Sequence, residues 1–209
     1  MLNELDKDLE RRGLPFVRYA DDSMIFCKSK RAAMRVKESV TRFIENALYL
    51  KVNKEKTVVS YVRGVKYLGY SFYVMKGKCQ LTVHPKSKAK MKSRLKELTS
   101  RSNGWGYAKR KQMLKEYIRG WVGYYHLANM KRLLLETDEW LRRRIRMCIW
   151  KAWKKVKTKV ANLIRCGINK YKAYEWGNTR KGYWRIADSY ILHRAITNEY
   201  LCRAGYATL

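Results

Sequence analysis

A pair of adjacent aspartates between two short apolar runs is the feature that most constrains this chain. The runs cover residues 14–17 and 24–27, and they flank the segment Tyr19-Ala20-Asp21-Asp22. This pattern predicts a strand, a tight turn and a second strand, with both carboxylates at the turn. Mg²⁺ is typically held by one or two carboxylates together with substrate phosphates, so the pair indicates a magnesium site. The alternative is that both aspartates are only turn residues, a common role for this side chain.

The first third of the chain has the alternating periodicities of an α+β domain. Apolar residues at helical spacing predict helices over residues 2–12 and 30–47. Three further segments read as extended; they cover residues 49–52, 57–62 and 66–74. The order strand, strand, helix and strand predicts an antiparallel sheet with helices on one face. The strand pattern is expected to stop after Gly77.

The rest of the chain is predicted to be helical. Pro85 stands where a helix can begin, and residues 103–106 contain two glycines that should end it. Two longer amphipathic patterns follow over about 108–126 and 130–156, and they predict a three-helix unit with a shared core. Short helices are expected up to Gly167 and over about 190–202. The apolar stripe expected for the third helix comprises Leu134, Leu141, Ile145, Ile149, Ala152 and Val156.

The charge of the chain points to a polyanionic partner. The formal net charge is +31, from 48 basic and 17 acidic residues, and so large an excess repels itself unless a polyanion neutralises it. Nucleic acid is the leading candidate, and an acidic membrane surface is the second. No apolar stretch approaches the roughly 20 residues that span a bilayer, and the polar N-terminus does not resemble a signal peptide. We therefore expect a cytoplasmic protein with no membrane partner.

A dense run of cations in the third helix is the expected RNA contact. Trp140, Trp150 and Trp153 lie among these cations, and the sequence predicts an exposed face on which arginine binds phosphate while indole rings stack on unpaired bases. The residues predicted to contact RNA are Arg142, Arg143, Arg144, Arg146, Lys151, Lys154 and Lys155.

A second aromatic and basic stretch, residues 171–185, permits two interpretations. Tyrosine, tryptophan, lysine, arginine and glycine alternate here. The stretch is either a compact loop that contacts RNA or a seam of the hydrophobic core, and the sequence leaves both open.

Five motifs in a fixed order resemble group II intron reverse transcriptase/maturases, especially the compact bacterial kind without an endonuclease domain. They are FVRYADD at 16–22, IRGWVGYY at 118–125, WLRRRIR at 140–146, WKAWKK at 150–155 and AYEWGN at 173–178. The resemblance implies a partial reverse-transcriptase palm over residues 1–77. It implies a thumb, also called the maturase-specific or X domain, over residues 78–209, with a helical core at about 86–157. Proteins of this family bind their own intron RNA to assist splicing and copy it into DNA.

The same resemblance assigns roles in the palm. Asp21 would be a catalytic metal ligand, and Asp22 an accessory carboxylate at the same Mg²⁺ site. Lys56 would contact the phosphates of the incoming nucleotide, although a solvated loop lysine is an equal alternative. The primer grip would comprise Leu68, Gly69 and Tyr70.

One departure from the family limits what can be expected of this chain alone. A two-metal polymerase site needs carboxylates from two places, and the family's other metal-binding aspartate precedes this hairpin. Asp6 and Asp8 lie on a predicted helix and are not assigned that role. We therefore expect binding of intron RNA, with DNA synthesis from a primer only when the palm is complete, for example through a separate chain. The alternatives are a stand-alone RNA-binding splicing factor and an inactive remnant.

Overall fold

Two helices packed on a short hairpin begin the chain. The computed structural model describes residues 2–209, and here it forms α1 (Leu2–Arg11), β1 (Phe16–Tyr19), β2 (Asp22–Ile25) and α2 (Lys30–Asn46). Leucines on one face of α1 and Val40 of α2 are buried together, with apolar residues of the hairpin against them. The Ser29 hydroxyl caps α2 by accepting from the Ala32 backbone N–H. The predicted helices and first hairpin are confirmed.

A second antiparallel hairpin follows a long irregular segment. Strands β3 (Tyr70–Met75) and β4 (Lys78–Val83) are joined by Lys76 and Gly77, which both have positive φ, as a tight hairpin turn requires. The expectation that the strand pattern stops after Gly77 is therefore wrong. The sequence signal was weak because the turn begins with lysine rather than with asparagine or aspartate.

The strands expected at residues 49–52 and 57–62 are not formed. Asn53 instead organises a turn, in which its side chain accepts from the Lys56 N–H at 3.1 Å and its carbonyl accepts from the Thr57 N–H at 3.0 Å. Val58 and Tyr61 are exposed, although their residue types favour strands. The described residues thus form two separate two-stranded sheets rather than one larger sheet.

Eight helices make up the rest of the described chain. In order they are α3 (Pro85–Leu98), α4 (Tyr107–Tyr124), α5 (Lys131–Ala152), α6 (Val156–Arg165), α7 (Lys170–Gly177), α8 (Tyr183–Ile186), α9 (Tyr190–Ala195) and α10 (Asn198–Arg203). The predicted three long helices are confirmed, with Pro85 as the first residue of α3. The single helix expected over 190–202 is instead two short helices, and the Thr197 hydroxyl caps the second.

One hydrophobic core joins these helices. It runs from Met91, Leu95 and Leu98 of α3 through α4 and α5 to residues 163–206, so the last helices pack on the same core as the first three. Ala152 and Val156, which were expected in this core, are exposed because α5 ends at Ala152. The chain turns there, and Trp153 enters the core instead.

The chain divides into two compact units, Met1–His84 and Pro85–Leu209. The division follows β4, later than the Gly77 position expected from sequence, because β4 pairs with β3. A mixed first unit and an all-helical second unit confirm the predicted α+β class. Within residues 2–209, no helix combines the length and apolar character that crossing a bilayer requires.

Candidate functional site

The carboxylates of Asp21 and Asp22 lie at an exposed hairpin tip. Tyr19 pairs with Asp22 as the last register of β1 and β2, so the loop contains only Ala20 and Asp21. Ala20 has φ of 54°, a left-handed conformation that alanine adopts at an energetic cost. Both aspartates are solvent-exposed. The structure therefore places them where the sequence predicted, on a short rigid turn.

Arg18 connects this tip to α1. Its Nη1 donates to the Ala20 carbonyl at 2.9 Å, and its Nε donates to an oxygen of Asp6 at 2.7 Å. The hydrogen bond from Arg18 holds the pKa of Asp6 below its usual range. Because Arg18 bonds the left-handed residue itself, the Asp6–Arg18 pair supports the turn that presents Asp21. Sequence reasoning did not assign this positioning role, although an arginine just before the tip was a visible signal.

Asp6 and Asp8 are both engaged by arginines rather than available to a metal. Asp6 pairs with Arg18 through two nitrogens. Asp8 is buried and pairs with Arg11 and Arg12 at 2.5 and 2.6 Å. This arrangement agrees with leaving both aspartates out of the expected metal site.

The hairpin tip presents two carboxylates, those of Asp21 and Asp22. Among residues 2–209, no cluster of three or more histidine, cysteine, aspartate or glutamate side chains could enclose an ion. Two adjacent exposed carboxylates fit one Mg²⁺ that completes its coordination with water and substrate phosphates. They do not by themselves fit a two-metal site, which needs ligands that clamp both attacking and leaving oxygens.

The segment expected to grip a primer forms a tight turn near the hairpin. Leu68 and Gly69 have φ of 49° and 81°, and Tyr67 and Tyr70 close the turn by exchanging backbone hydrogen bonds of 3.1 and 2.9 Å. Burial and the charge of Asp22 raise the pKa of Tyr67, so this phenol lies within electrostatic reach of the hairpin tip. The structure thus brings the Tyr67–Tyr70 turn and Asp22 into one neighbourhood. The primer-contacting role remains a prediction.

Lys56 is exposed in the turn organised by Asn53. This position matches a solvated lysine and equally leaves the ammonium group accessible to a phosphate. Its proposed nucleotide contact therefore remains a prediction.

The expectation of an exposed arginine face on α5 is wrong for Arg144 and Arg146. Arg146 is 4% exposed, and it donates to the Ile196 carbonyl and to Asn198 Oδ1, both at 2.8 Å. Arg144 donates to Thr99 Oγ1 at 2.6 Å and to the Lys96 carbonyl at 3.1 Å. Burial lowers the pKa of both guanidinium groups. These two arginines join α5 to α3 and to the C-terminal helices.

Arg142 and Arg143 are also largely occupied by protein partners. The Arg142 side chain is 14% exposed and pairs with Asp138. Arg143 pairs with Asp188 at 3.0 Å and lies over the Trp184 ring, 3.9 Å from its centroid. Their RNA contacts remain predictions. All four arginines, Arg142, Arg143, Arg144 and Arg146, already bind protein groups within the helical unit.

The tryptophans expected to stack on bases are mostly core residues. Trp150 and Trp153 are 1% and 6% exposed, and their ring centroids lie 5.7 Å apart. Tryptophans and cations alternate in this part of the sequence because the helix has an apolar face and a charged face. An apolar stripe turns toward the core while the cations find hydrogen-bond partners at its edges.

The lysines of the predicted RNA-binding set are the accessible members. Lys154 and Lys155 are exposed where α5 gives way to α6, and Lys151 is half-buried. Helix α3 adds a second lysine-rich surface opposite its buried stripe, with Lys90, Lys92 and Lys96 exposed. We name these two exposed groups together, Lys90, Lys92 and Lys96 on α3 and Lys154 and Lys155 after α5, the lysine surface.

The structure places part of the 171–185 stretch in the hydrophobic core, and RNA contact by the rest remains a prediction. Most of its first half is a helix, α7, whose Ala173 and Trp176 are buried in the core. Tyr171 and Tyr174 point to solvent on the same helix. The alternation of residue types therefore follows the two faces of a helix, and the outer face is available to a ligand.

Two family models match this chain. The reverse transcriptase (RNA-dependent DNA polymerase) family matches residues 1–72, which include the Asp21 hairpin and the Leu68–Gly69 turn. The maturase-specific domain of group II introns matches residues 88–167, which include α3 to α6. A search of curated proteins found no significant match.

Proposed function

Since the chain belongs to the group II intron reverse transcriptase/maturase family, we propose that its helical unit binds intron RNA through the lysine surface. The family's function is to assist intron splicing as a maturase and to copy RNA as a reverse transcriptase. The observation that carries the proposal is the set of exposed lysines on the unit that matches the maturase-specific domain. Lysine binds phosphate as a flexible point charge, which suits contact with an RNA backbone.

Because Arg142, Arg143, Arg144 and Arg146 are engaged within the protein, we assign the proposed contact with RNA phosphates to the lysines. Each α5 arginine has a carboxylate, carbonyl, hydroxyl or aromatic partner within the protein. Binding phosphate would require those contacts to be broken, at a cost that the exposed lysines do not incur. The lysine surface can therefore neutralise RNA without disturbing the helical core.

We expect RNA binding to weaken steeply with salt, and to lose part of that dependence when Lys154 and Lys155 are replaced with alanine. Each neutralised phosphate releases counterions, so losing two contacts should reduce the slope of log affinity against log salt by roughly 1.5. Fluorescence anisotropy of labelled intron RNA across a salt series measures the slope. Replacing both lysines with arginine is the matched control, since it keeps both charges. An unchanged slope in the alanine variant would remove these lysines from the interface.

A second proposed function is Mg²⁺-dependent nucleotidyl transfer, and the exposed Asp21 and Asp22 carboxylates favour it. The family generally uses Mg²⁺, and a bound ion would supply charge stabilisation at substrate phosphates. In this role Asp21 and Asp22 hold the ion, Arg18 positions the turn, and the Tyr67–Tyr70 turn orients a primer end. Residues 2–209 do not assemble a two-metal ligand set, so we propose that this chain alone binds RNA without efficient polymerisation.

Primer extension on an RNA template with Mg²⁺ tests the proposal that this chain alone binds RNA without efficient polymerisation. We expect the chain alone to give little or no extension, at the level of an Asp21→Ala variant. Both proteins should still bind the template, because the lysine surface is unchanged. Extension that vanishes only in the Asp21→Ala variant would show that the chain assembles a complete site. An Asp21→Asn variant provides an isosteric control for folding of the hairpin.

A further inference from the structure

A surface cavity of about 290 Å³ lies where α6, α7 and α9 approach one another. Its size is close to the lower end of ligand sites, roughly 300–1,000 Å³. It lies outside the lysine surface, and Lys172 and Trp176 of its lining belong to the 171–185 stretch, for which RNA contact was one of the two interpretations. Its lining comprises Gly167, Ile168, Asn169, Lys172, Trp176 and Arg194.

The backbone around this cavity is held in place by close packing. Gly167, with φ of 84°, ends α6, and the Asn169 side chain caps α7 by accepting from the Tyr171 N–H at 2.9 Å. At the other end of α7, a Cβ on Gly177 would lie only 2.7 Å from a methyl carbon of Val160 on α6. The two helices therefore pack closely, and the cavity wall is a fixed feature of the fold.

The charges at the cavity mouth favour an anion. Lys172 lies in the first turn of α7, where the helix dipole already presents partial positive charge, and α7 has no acidic residue in that turn. Arg194 adds a second cation from α9. Within residues 2–209, neither side chain forms an ion pair with a carboxylate, whereas the neighbouring Asp188 is engaged by Arg143 and His193. Two cations that form no ion pair within residues 2–209 thus lie beside a helix N-terminus.

One exposed aromatic ring lies beside the cavity. Tyr190 meets the ring of Trp176, a buried core residue, edge-on, with the ring centroids 6.0 Å apart. Tyr190 is 64% exposed, and the Arg194 guanidinium lies 5.8 Å from its ring centroid while donating to its hydroxyl. Exposed aromatic rings beside an arginine are the surfaces on which unpaired bases stack.

We propose that this cavity binds one unpaired nucleotide of RNA, with its phosphate at Lys172, Arg194 and the α7 N-terminus and its base against the exposed Tyr190 ring beside the cavity. This inference rests on the proposed RNA-binding function and adds a preference for single-stranded segments. A paired base is stacked within its helix and cannot reach the Tyr190 ring, so duplex RNA leaves this site empty. Inorganic phosphate satisfies the cations but leaves the Tyr190 ring unused.

The test compares the full chain with a Lys172→Ala/Arg194→Ala variant. A Lys115→Ala/Arg119→Ala variant is the matched control, because it removes two exposed cations of α4 that do not line the cavity. Affinities are measured for an oligouridine and for an RNA duplex of equal length. We expect the cavity variant to lose about tenfold more affinity for the single strand than the control does. Both variants should lose the same affinity for the duplex.

A second measurement uses the unmodified protein. Oligouridine carrying 4-thiouridine should cross-link to the peptide that contains Tyr190, and inorganic phosphate at matched ionic strength should not prevent this. Cross-links only elsewhere, displacement by inorganic phosphate, or equal losses in the two variants would overturn the cavity proposal alone. Absence of binding to either RNA by the unmodified protein would overturn the proposed function as well.

Discussion

Replacing Trp150 with alanine is expected to destabilise the helical unit by about 4 kcal/mol. Trp150 is 1% exposed in the middle of the core, and its ring packs against Trp153. Removing the indole forfeits its buried apolar area and leaves a cavity that the neighbouring helices cannot fully close. Urea unfolding monitored by far-ultraviolet circular dichroism measures the change in the free energy of unfolding.

Tyr171→Ala provides the matched aromatic control for this prediction. Tyr171 is 80% exposed on α7, so its removal should change the free energy of unfolding by less than about 0.5 kcal/mol. If Trp150→Ala instead kept full stability and lost RNA affinity, Trp150 would stack on bases as the sequence suggested. That outcome would contradict the buried position of the ring.

The second large effect is expected from Arg146→Ala, with a loss of about 3 kcal/mol. The guanidinium donates to the Ile196 carbonyl and to Asn198 at the junction of α9 and α10. Without it, the carbonyl of Ile196, a fully buried residue, loses its charge-assisted partner, and α5 loses its link to the C-terminal helices. The urea midpoint should fall accordingly.

Lys154→Ala tests whether charge or position accounts for the Arg146 result. Lys154 is exposed near the end of the same helix, so its removal should leave the free energy of unfolding within about 0.5 kcal/mol of the unmodified protein. The two variants should also separate in the RNA assay, where Lys154→Ala weakens binding without unfolding. A stable Arg146→Ala protein with reduced RNA affinity would return Arg146 to the RNA interface.

Together these contacts join the last helices to the core of the helical unit. The maturase-specific match ends at residue 167, whereas the hydrophobic core continues to Tyr206. Arg142, Arg143 and Arg146 each contact residues beyond that point. The arginine-rich motif of α5 therefore connects the matched domain to the helices that follow it.

The long helices and the first hairpin could be predicted from sequence because their signals are local. The leucines of α1, the stripe of α3 and the apolar runs around Asp21 each repeat with the period of their own element. The sequence does not predict the strand at 78–83, because its turn begins with lysine rather than with asparagine or aspartate. It predicts a strand at 57–62 because Val58 and Tyr61 favour one. A strand also needs a partner, which local sequence cannot supply.

The sequence by itself determined the two-part α+β organisation, the Asp21–Asp22 hairpin tip and an excess of positive charge that requires a polyanion. Only the tertiary structure decided which cationic side chains are exposed to a polyanionic partner. Arginine and lysine contribute equally to a sequence's charge, but burial and hydrogen-bond partners depend on residues far apart in the chain. Arg146 reaches Ile196 and Arg144 reaches Thr99, while Lys154 and Lys155 remain in solvent. Folding thus gives Arg144 and Arg146 protein partners and leaves Lys154 and Lys155 exposed to solvent.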